Sequence, residues 1–377
     1  MYIKGVGMTK FGAQPGTSQE LVYEAAMEAL DDAEVSMDDI DAIVVSAIDS
    51  ENTGERQRLF GSIVGSILRK KIPILTSTAV CGGGGAALWA ANRLDYENVL
   101  VVGVERLLTN NSNNITDEIM MAAERIYEQA EGLNFPAQNA LVAQQYMMRY
   151  KATSDDLALV AFKNHSNAYF NPKARFYKKE VTLKQIKKSP VVASPLRLFD
   201  CSLSVNGAAA AVMTRQSTDI ELAGSSLIVD RLSSFESEDM TTWPASTMAA
   251  EEAFAQAGIS PSQVDIAELH DAFTSVELIS YEDLGFCKKG EGKDLIRKGY
   301  TNLNGKLPVN TSGGLKAKGH PISATGISQI YELVKQMRNQ AGERQVDNIR
   351  YGLAQNIGGA GSTVTVHILR NLNQVSA

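Results

Sequence analysis

The chain has 377 residues, 44% hydrophobic and 21% charged, with a formal net charge of −7. That length supports a large buried core in two or three domain-sized units, and the acidic balance, with no basic tract, argues against a nucleic-acid partner. No apolar run of about 18 residues is present for a membrane span, and three widely spaced cysteines (Cys81, Cys201, Cys287) do not form a disulfide framework. A cytoplasmic protein is therefore expected, with neither a signal core in "MYIKGVGMTKFG" nor an address in "NQVSA".

In chain order, helical periods alternate with short β-rich runs, the pattern of α/β layering. "ELVYEAAMEALDDA" predicts an amphipathic helix with Ser18 as its N-cap, and "VSMDDIDAIVVSAI" a turn leading into a buried strand. "IPILTS" predicts a strand, then "TAVCGGGGAALWAANRL" places Cys81 and four glycines before a helix. A thiol at a strand-to-helix junction lies near free helix N–H groups, which favour thiolate. The glycines would let the backbone turn sharply and let a substrate approach. A buried structural cysteine beside a turn is the equally weighted alternative. A phosphate cradle is weaker, because no Gly-Lys-Ser/Thr follows.

Residues 111–199 read as a mainly helical insertion, with "NNSNN" as a candidate linker and a lysine-rich "YKKEVTLKQIKKSP". Beyond it, "EEAFAQAGISPSQVDIAELHDAF" repeats the first helix and strand. Glu28 falls on Glu252, Ser36 on Ser260, Ile40 on Val264 and Asp41 on Asp265. "DNIRYGLAQ" echoes "ENVLVVGVE" in the same order, so two similar halves are expected. The division is residues 1–110 with 200–222, the insertion at 111–199, and 223–377.

Of four histidines, two fall at junctions that could carry chemistry. His320 in "GGLKAKGHP" follows a glycine-rich loop and precedes Pro321, where a helix can begin. There it could take a proton from a thiol or be a surface histidine. His270-Asp271 falls where the repeat ends a strand, at the sheet's C-terminal edge. Asn356 precedes the glycine turn of "AQNIGGAGSTVTVHIL". No Cys/His spacing suits a metal.

Together these stretches resemble the thiolase superfamily, in its archaeal-type and sterol-carrier-protein-type branch. "GVGMTKFG", Cys81 with its glycines, "KNHSNAYFNPKARF", "LFDCSLSVNGAAAAVM", "HDAFTSVELISYEDLGFC", "NTSGGLKAKGHP" and "NIGGAGSTVTV" carry the likeness. It implies a five-layered αβαβα fold of two duplicated halves with an inserted loop domain. It also implies Cys81 as nucleophile, His320 as its activator and oxyanion-hole donor, and His270 on the other side of that hole. Backbone N–H groups at Cys81 and near Gly358 would form a second hole. His165 matches a family motif, with a structural hydrogen-bonding role as its alternative. The sequence departs from the family where a second sulfur base is expected: Asn356 and Ala272 occupy the two positions, and Cys287 is no obvious substitute.

The implied activity is acetyl-CoA C-acetyltransfer through an acyl-cysteine. Acyl transfer to a non-CoA acceptor and a weakly active scaffold subunit are the alternatives. Coenzyme A thioester is expected as substrate, with no tightly bound cofactor. A homodimer or homotetramer is expected, and a small zinc-ribbon/OB-fold protein is a possible partner.

Overall fold

The computed structural model describes residues 1–48, 58–108 and 112–374, with side chains from 115 in the last segment. The chain opens on β1 (Tyr2–Met8) and turns into α1 (Ser18–Asp32). Thr17, one residue before the expected cap, starts this helix: its hydroxyl accepts from Glu20 N (3.2 Å), while the Glu20 carboxylate accepts from Thr17 N (2.8 Å). This reciprocal box satisfies two orphan donors, whereas Ser18 is buried inside the first turn. Leu21, Val22, Ala25, Ala29 and Leu30 form the buried stripe of α1. The larger of these each stabilise the fold by roughly 1.5–3 kcal/mol.

Next come β2 (Ala42–Ser46), α2 (Phe60–Ile67), β3 (Ile74–Ser77), α3 (Gly83–Ala91) and β4 (Asn98–Arg106). β2 pairs in parallel with both β3 and β4, so helices make the crossovers. Between β4 and β7 (Asn206–Thr214) lie α4 (Ser112–Met120), α5 (Phe135–Tyr150), α6 (Ser154–Tyr169), α7 (Leu183–Lys188) and a small hairpin of β5 (Val191–Ala193) and β6 (Leu196–Arg197). The expected linker "NNSNN" lies partly outside the described residues; from Ser112 the backbone is helical.

The chain continues through β8 (Ile220–Val229), α8 (Pro244–Ala257), β9 (Ile266–Glu268), α9 (Thr274–Asp283), α10 (Gly292–Arg297), α11 (Gly314–Ala317), α12 (Thr325–Met337), β10 (Tyr351–Gly358) and β11 (Thr363–Asn371). α6 and α9 are joined by a buried ion pair, Lys163 Nζ to Glu277 Oε1 at 3.0 Å. Arg297 of α10 clasps Asp156 of α6 through two bonds of 2.6 and 2.8 Å. The inserted helices therefore rest on the second half of the molecule.

Nine strands form one sheet in the order β3-β2-β4-β7-β1-β8-β11-β10-β9. Its middle is a seam where β1 and β8 pair only through Tyr2–Glu221 and Ile3–Ile220. On either side the pairing repeats: β2 runs parallel to β4, which is antiparallel to β7, and β9 runs parallel to β10, which is antiparallel to β11. The sequence echo has a local cause. Ser36 and Ser260 each cap a 3-10 turn. Asp41 accepts from Asn98 N at 2.9 Å and Asp265 from Tyr351 N at 2.8 Å, each tying its own segment to the start of the next parallel strand.

α1 covers one face of the first half and α8 one face of the second, while α3 and α12 pack on each other between the two. The result is five layers, αβαβα. The glycine run serves that middle layer. Gly83, Gly84 and Gly85 are inside α3, and none has a positive φ. A methyl on Gly84 would lie 2.9 Å from Gly326 N. Gly83 and Gly85 would meet Ser46 and Thr365 on the flanking strands, so these glycines serve close packing of α3 against α12 and the sheet, not a sharp turn. A glycine in a helix costs about 1 kcal/mol relative to alanine, which the close packing offsets. No helix among the described residues is long and apolar enough to cross a membrane.

Candidate active site

β3 runs through Val80–Gly82, a 3-10 turn, into α3. Val80 holds φ at +47°, a left-handed conformation that β-branched residues strongly disfavour. The sharp turn is stored in this valine, immediately before Cys81. Cys81 lines a cavity of about 760 Å³ together with His270, His320, Ala272, Phe273 and Gly359. Burial pushes its thiol up to about 12, and the Glu105 carboxylate adds to the rise. Desolvation thus opposes the ionisation that the strand-to-helix junction was expected to favour, and the thiol needs a base.

His320 lies between α11 and α12, with its backbone N–H on Leu203 O at 2.8 Å. Pro321 is followed by a 3-10 turn, and α12 begins only at Thr325. The residue is 7% exposed, which rules out a surface histidine. Its Nδ1 lies 2.7 Å from Thr325 Oγ1, whose own proton goes to Pro321 O at 3.3 Å. With the Thr325 proton assigned to Pro321 O, Nδ1 is the donor and Nε2 holds the lone pair. Burial, aided by the Lys318 charge, lowers the ring to about 3, so it is neutral near pH 7.

His270 follows β9 and is buried, its ring edge-on to His320 with centroids 5.4 Å apart. Burial, then the His320 charge, hold it well below the ordinary histidine value. Asp271 accepts from Leu315 N at 2.6 Å and from Asn164 Nδ2 at 2.7 Å. It pins the His270 segment to α11, just upstream of His320, so this carboxylate sets the spacing of the two rings. The sequence pointed to the His270-Asp271 pair without giving the aspartate a task.

Asn356 lies in β10, just before the glycine turn as expected, and its Oδ1 accepts from Gly85 N at 3.2 Å. Gly358 is behind the nucleophile's turn: a methyl on Gly82 would meet Gly358 N at 3.2 Å, while Ile357 and Gly359 line the cavity. Ala272 faces the cavity and gives its carbonyl to Ser202 N at 2.8 Å. Cys287 does not line it. His165 is buried on α6 against the rings of Phe176 and Phe199, away from the cavity, and burial holds it at about 3. Cys201, which sequence reasoning passed over inside "LFDCSLSV", does line the cavity, its thiol pushed up to about 11 by burial.

A methyl on Gly85 would overlap Thr365 Oγ1 and press on Asn356 Cβ. Gly85→Ala should therefore lower unfolding free energy by about 1–3 kcal/mol, the cost of overpacking. A reduced urea midpoint with unchanged slope is the expected reading, and an unchanged midpoint would mean that the site has room.

Comparison with known proteins agrees with this geometry. The family description "Thiolase, N-terminal domain" matches residues 1–196, and "Thiolase C-terminal domain-like" matches 227–371. An acetyl-CoA acetyltransferase of Methanothermobacter thermautotrophicus is 37% identical over 97% of both chains. Bovine sterol carrier protein 2 is 30% identical over 97% of this chain and 71% of its own length. Among solved structures, a chain of the Ltp2-ChsH2(DUF35) aldolase superposes with a TM-score of 0.82 at 26% identity, covering 98% of this chain and 97% of that one. Human mitochondrial 3-ketoacyl-CoA thiolase in complex with CoA, at 16% identity, shares the fold with a TM-score of 0.72, over 98% of this chain and 97% of its own. The chain belongs to the thiolase family and is an enzyme of its acyltransferase class.

Proposed function

We propose that the protein is an acetyl-CoA C-acetyltransferase, forming or cleaving acetoacetyl-CoA through an acyl-Cys81 intermediate. The observation that carries this reading is a half-buried Cys81 thiol sharing one cavity with a neutral His320 whose Nε2 is free to accept. His320 takes the thiol proton, and the sulfur attacks the carbonyl carbon of acyl-CoA. The bond from that carbon to the CoA sulfur breaks, and His320 returns the proton to the departing CoA thiolate. Backbone N–H groups at Cys81 and at the Gly358 turn stabilise the tetrahedral oxyanion, and His320 with His270 face the second acyl unit.

Acyl-CoA and CoA are substrates in this scheme, with no tightly bound cofactor. The three free thiols suit the cytoplasm. A homodimer or homotetramer is proposed, as is a small zinc-ribbon/OB-fold partner. Support for a partner of some kind comes from the Ltp2-ChsH2(DUF35) aldolase, a similar chain described together with a second component.

One observation favours a second reading, acyl transfer to a non-CoA acceptor: Asn356 and Ala272 stand where the second sulfur base is expected, and burial pushes Cys201, the other thiol lining the cavity, up to about 11. The test is intact-protein mass spectrometry after acetyl-CoA. One added acetyl group, mapped to Cys81, is the expected result; an unmodified protein with acetyl-CoA consumed would overturn the acyl-cysteine route. Acetoacetyl-CoA formed in the same mixture would separate the first reading from the second.

A further inference from the structure

A continuous line of buried hydrogen bonds runs from β11 to the cavity. It starts at His367, whose Nε2 lies 3.0 Å from Gly85 O, with Nδ1 3.2 Å from Ser225 Oγ. A carbonyl can only accept, so His367 carries its proton on Nε2. On the other side of the same residue, Gly85 N–H can only donate, and it points at Asn356 at 3.2 Å. That fixes the Asn356 amide with its oxygen toward Gly85 and its NH2 toward His270. The NH2 nitrogen is 3.3 Å from His270 Nδ1. An amide NH2 offers hydrogens only, so His270 Nδ1 must hold a lone pair, and the proton of the neutral ring is on Nε2.

His320 has the opposite arrangement, with its proton on Nδ1 toward Thr325 and its lone pair on Nε2. The two rings stand edge-on, 5.4 Å between centroids, in one cavity. An enolising acyl group needs a proton acceptor at carbon and a hydrogen-bond donor at oxygen at the same time. One ring nitrogen cannot be both.

We propose that Asn356 is a positioning residue that locks His270 as the Nε2–H tautomer, so that His270 donates to the substrate oxygen while His320 accepts the proton. The residue that stands where a sulfur base is expected thus has a task of its own, and Gly85 and His367 hold it in place. The assignment of the substrate oxygen rests on the acyltransferase reading; the tautomers do not.

The test is ¹⁵N-histidine labelling and long-range proton–nitrogen correlation on this 377-residue chain, where four histidines contribute. The His270 signals are identified by their loss in His270→Asn. In wild type His270 should show a protonated Nε2 and a bare Nδ1, and His320 the reverse. A proton on His270 Nδ1 overturns the proposal whatever the activity. In Asn356→Asp one carboxylate oxygen keeps the Gly85 bond, and the other draws a proton to His270 Nδ1. The carbon–carbon step should then fall about 10²-fold, the scale of one lost oxyanion donor, with Cys81 acylation changed far less. Asn356→Ala, which adds no charge, should give a mixture of His270 tautomers; an unchanged single tautomer there counts against the lock. Correct tautomers in a wild-type protein that never acylates Cys81 would sink the acyl-cysteine reading and leave the positioning intact.

Discussion

Cys81→Ser is expected to form no acyl-enzyme and to lose at least about 10⁴-fold in turnover, the range seen when a nucleophile is removed from a concerted site. The reason is quantitative. The wild-type thiol is already pushed up to about 12 by burial, so the site tolerates little further loss of acidity. A serine hydroxyl is far less acidic, and the same desolvation would raise it further. Structure should not suffer: the position is half-buried, and exchanging sulfur for oxygen there should alter unfolding free energy by less than about 1 kcal/mol. Mass spectrometry after acetyl-CoA, paired with a urea melt, reads both quantities. Undiminished turnover would remove Cys81 from the mechanism.

His320→Ala should slow acylation of Cys81 by roughly 10²–10⁴-fold, the usual worth of a positioned base. A thiol near about 12 is ionised to only about one part in 10⁵ at pH 7. Without His320 the reaction must draw on that fraction, so the variant's rate should climb about tenfold per pH unit. Wild type should behave differently. Burial lowers the His320 ring to about 3, so the accepting form is present from about pH 5 upward, and acylation should stay flat from pH 8 to 6. An ordinary histidine near 6.5 would lose most of its accepting form by pH 6. A wild-type rate that declines across that interval would show that a different group takes the proton.

Much of this was legible in the chain because it is written locally. Ser36 and Ser260 each begin the same capped turn, and Asp41 and Asp265 each make the same backbone bond, so the duplication shows in residues a few positions apart. Cys81 at a strand–helix junction and His320 beside Pro321 were visible for the same reason. What could not be read depends on partners far off in sequence. The purpose of the four glycines appears only when α3 is placed against α12 and against Ser46, Gly358 and Thr365 of the strands. The upward push on the Cys81 thiol is a property of the folded cavity, where desolvation opposes ionisation. Asn356 gains its meaning from Gly85, 271 residues away, and Cys201 enters the site only because β7 is preceded by a segment that folds beside His320.

The place of β1 in the sheet has a consequence for how the protein is made. This strand, residues 2–8, lies between β7 and β8, and it pairs with Ala209–Thr214 and with Ile220 and Glu221. Its first neighbours leave the ribosome about 200 residues after it does, a wait of roughly 10–40 s at typical rates of synthesis. During that interval the alternating glycines and apolar side chains of "YIKGVGM" have both strand edges open. The nascent chain therefore carries an unpaired, aggregation-prone strand until residues 209–214 emerge. Protection by α1, which packs directly on β1 and follows it within ten residues, is the one contact available early enough to shield it.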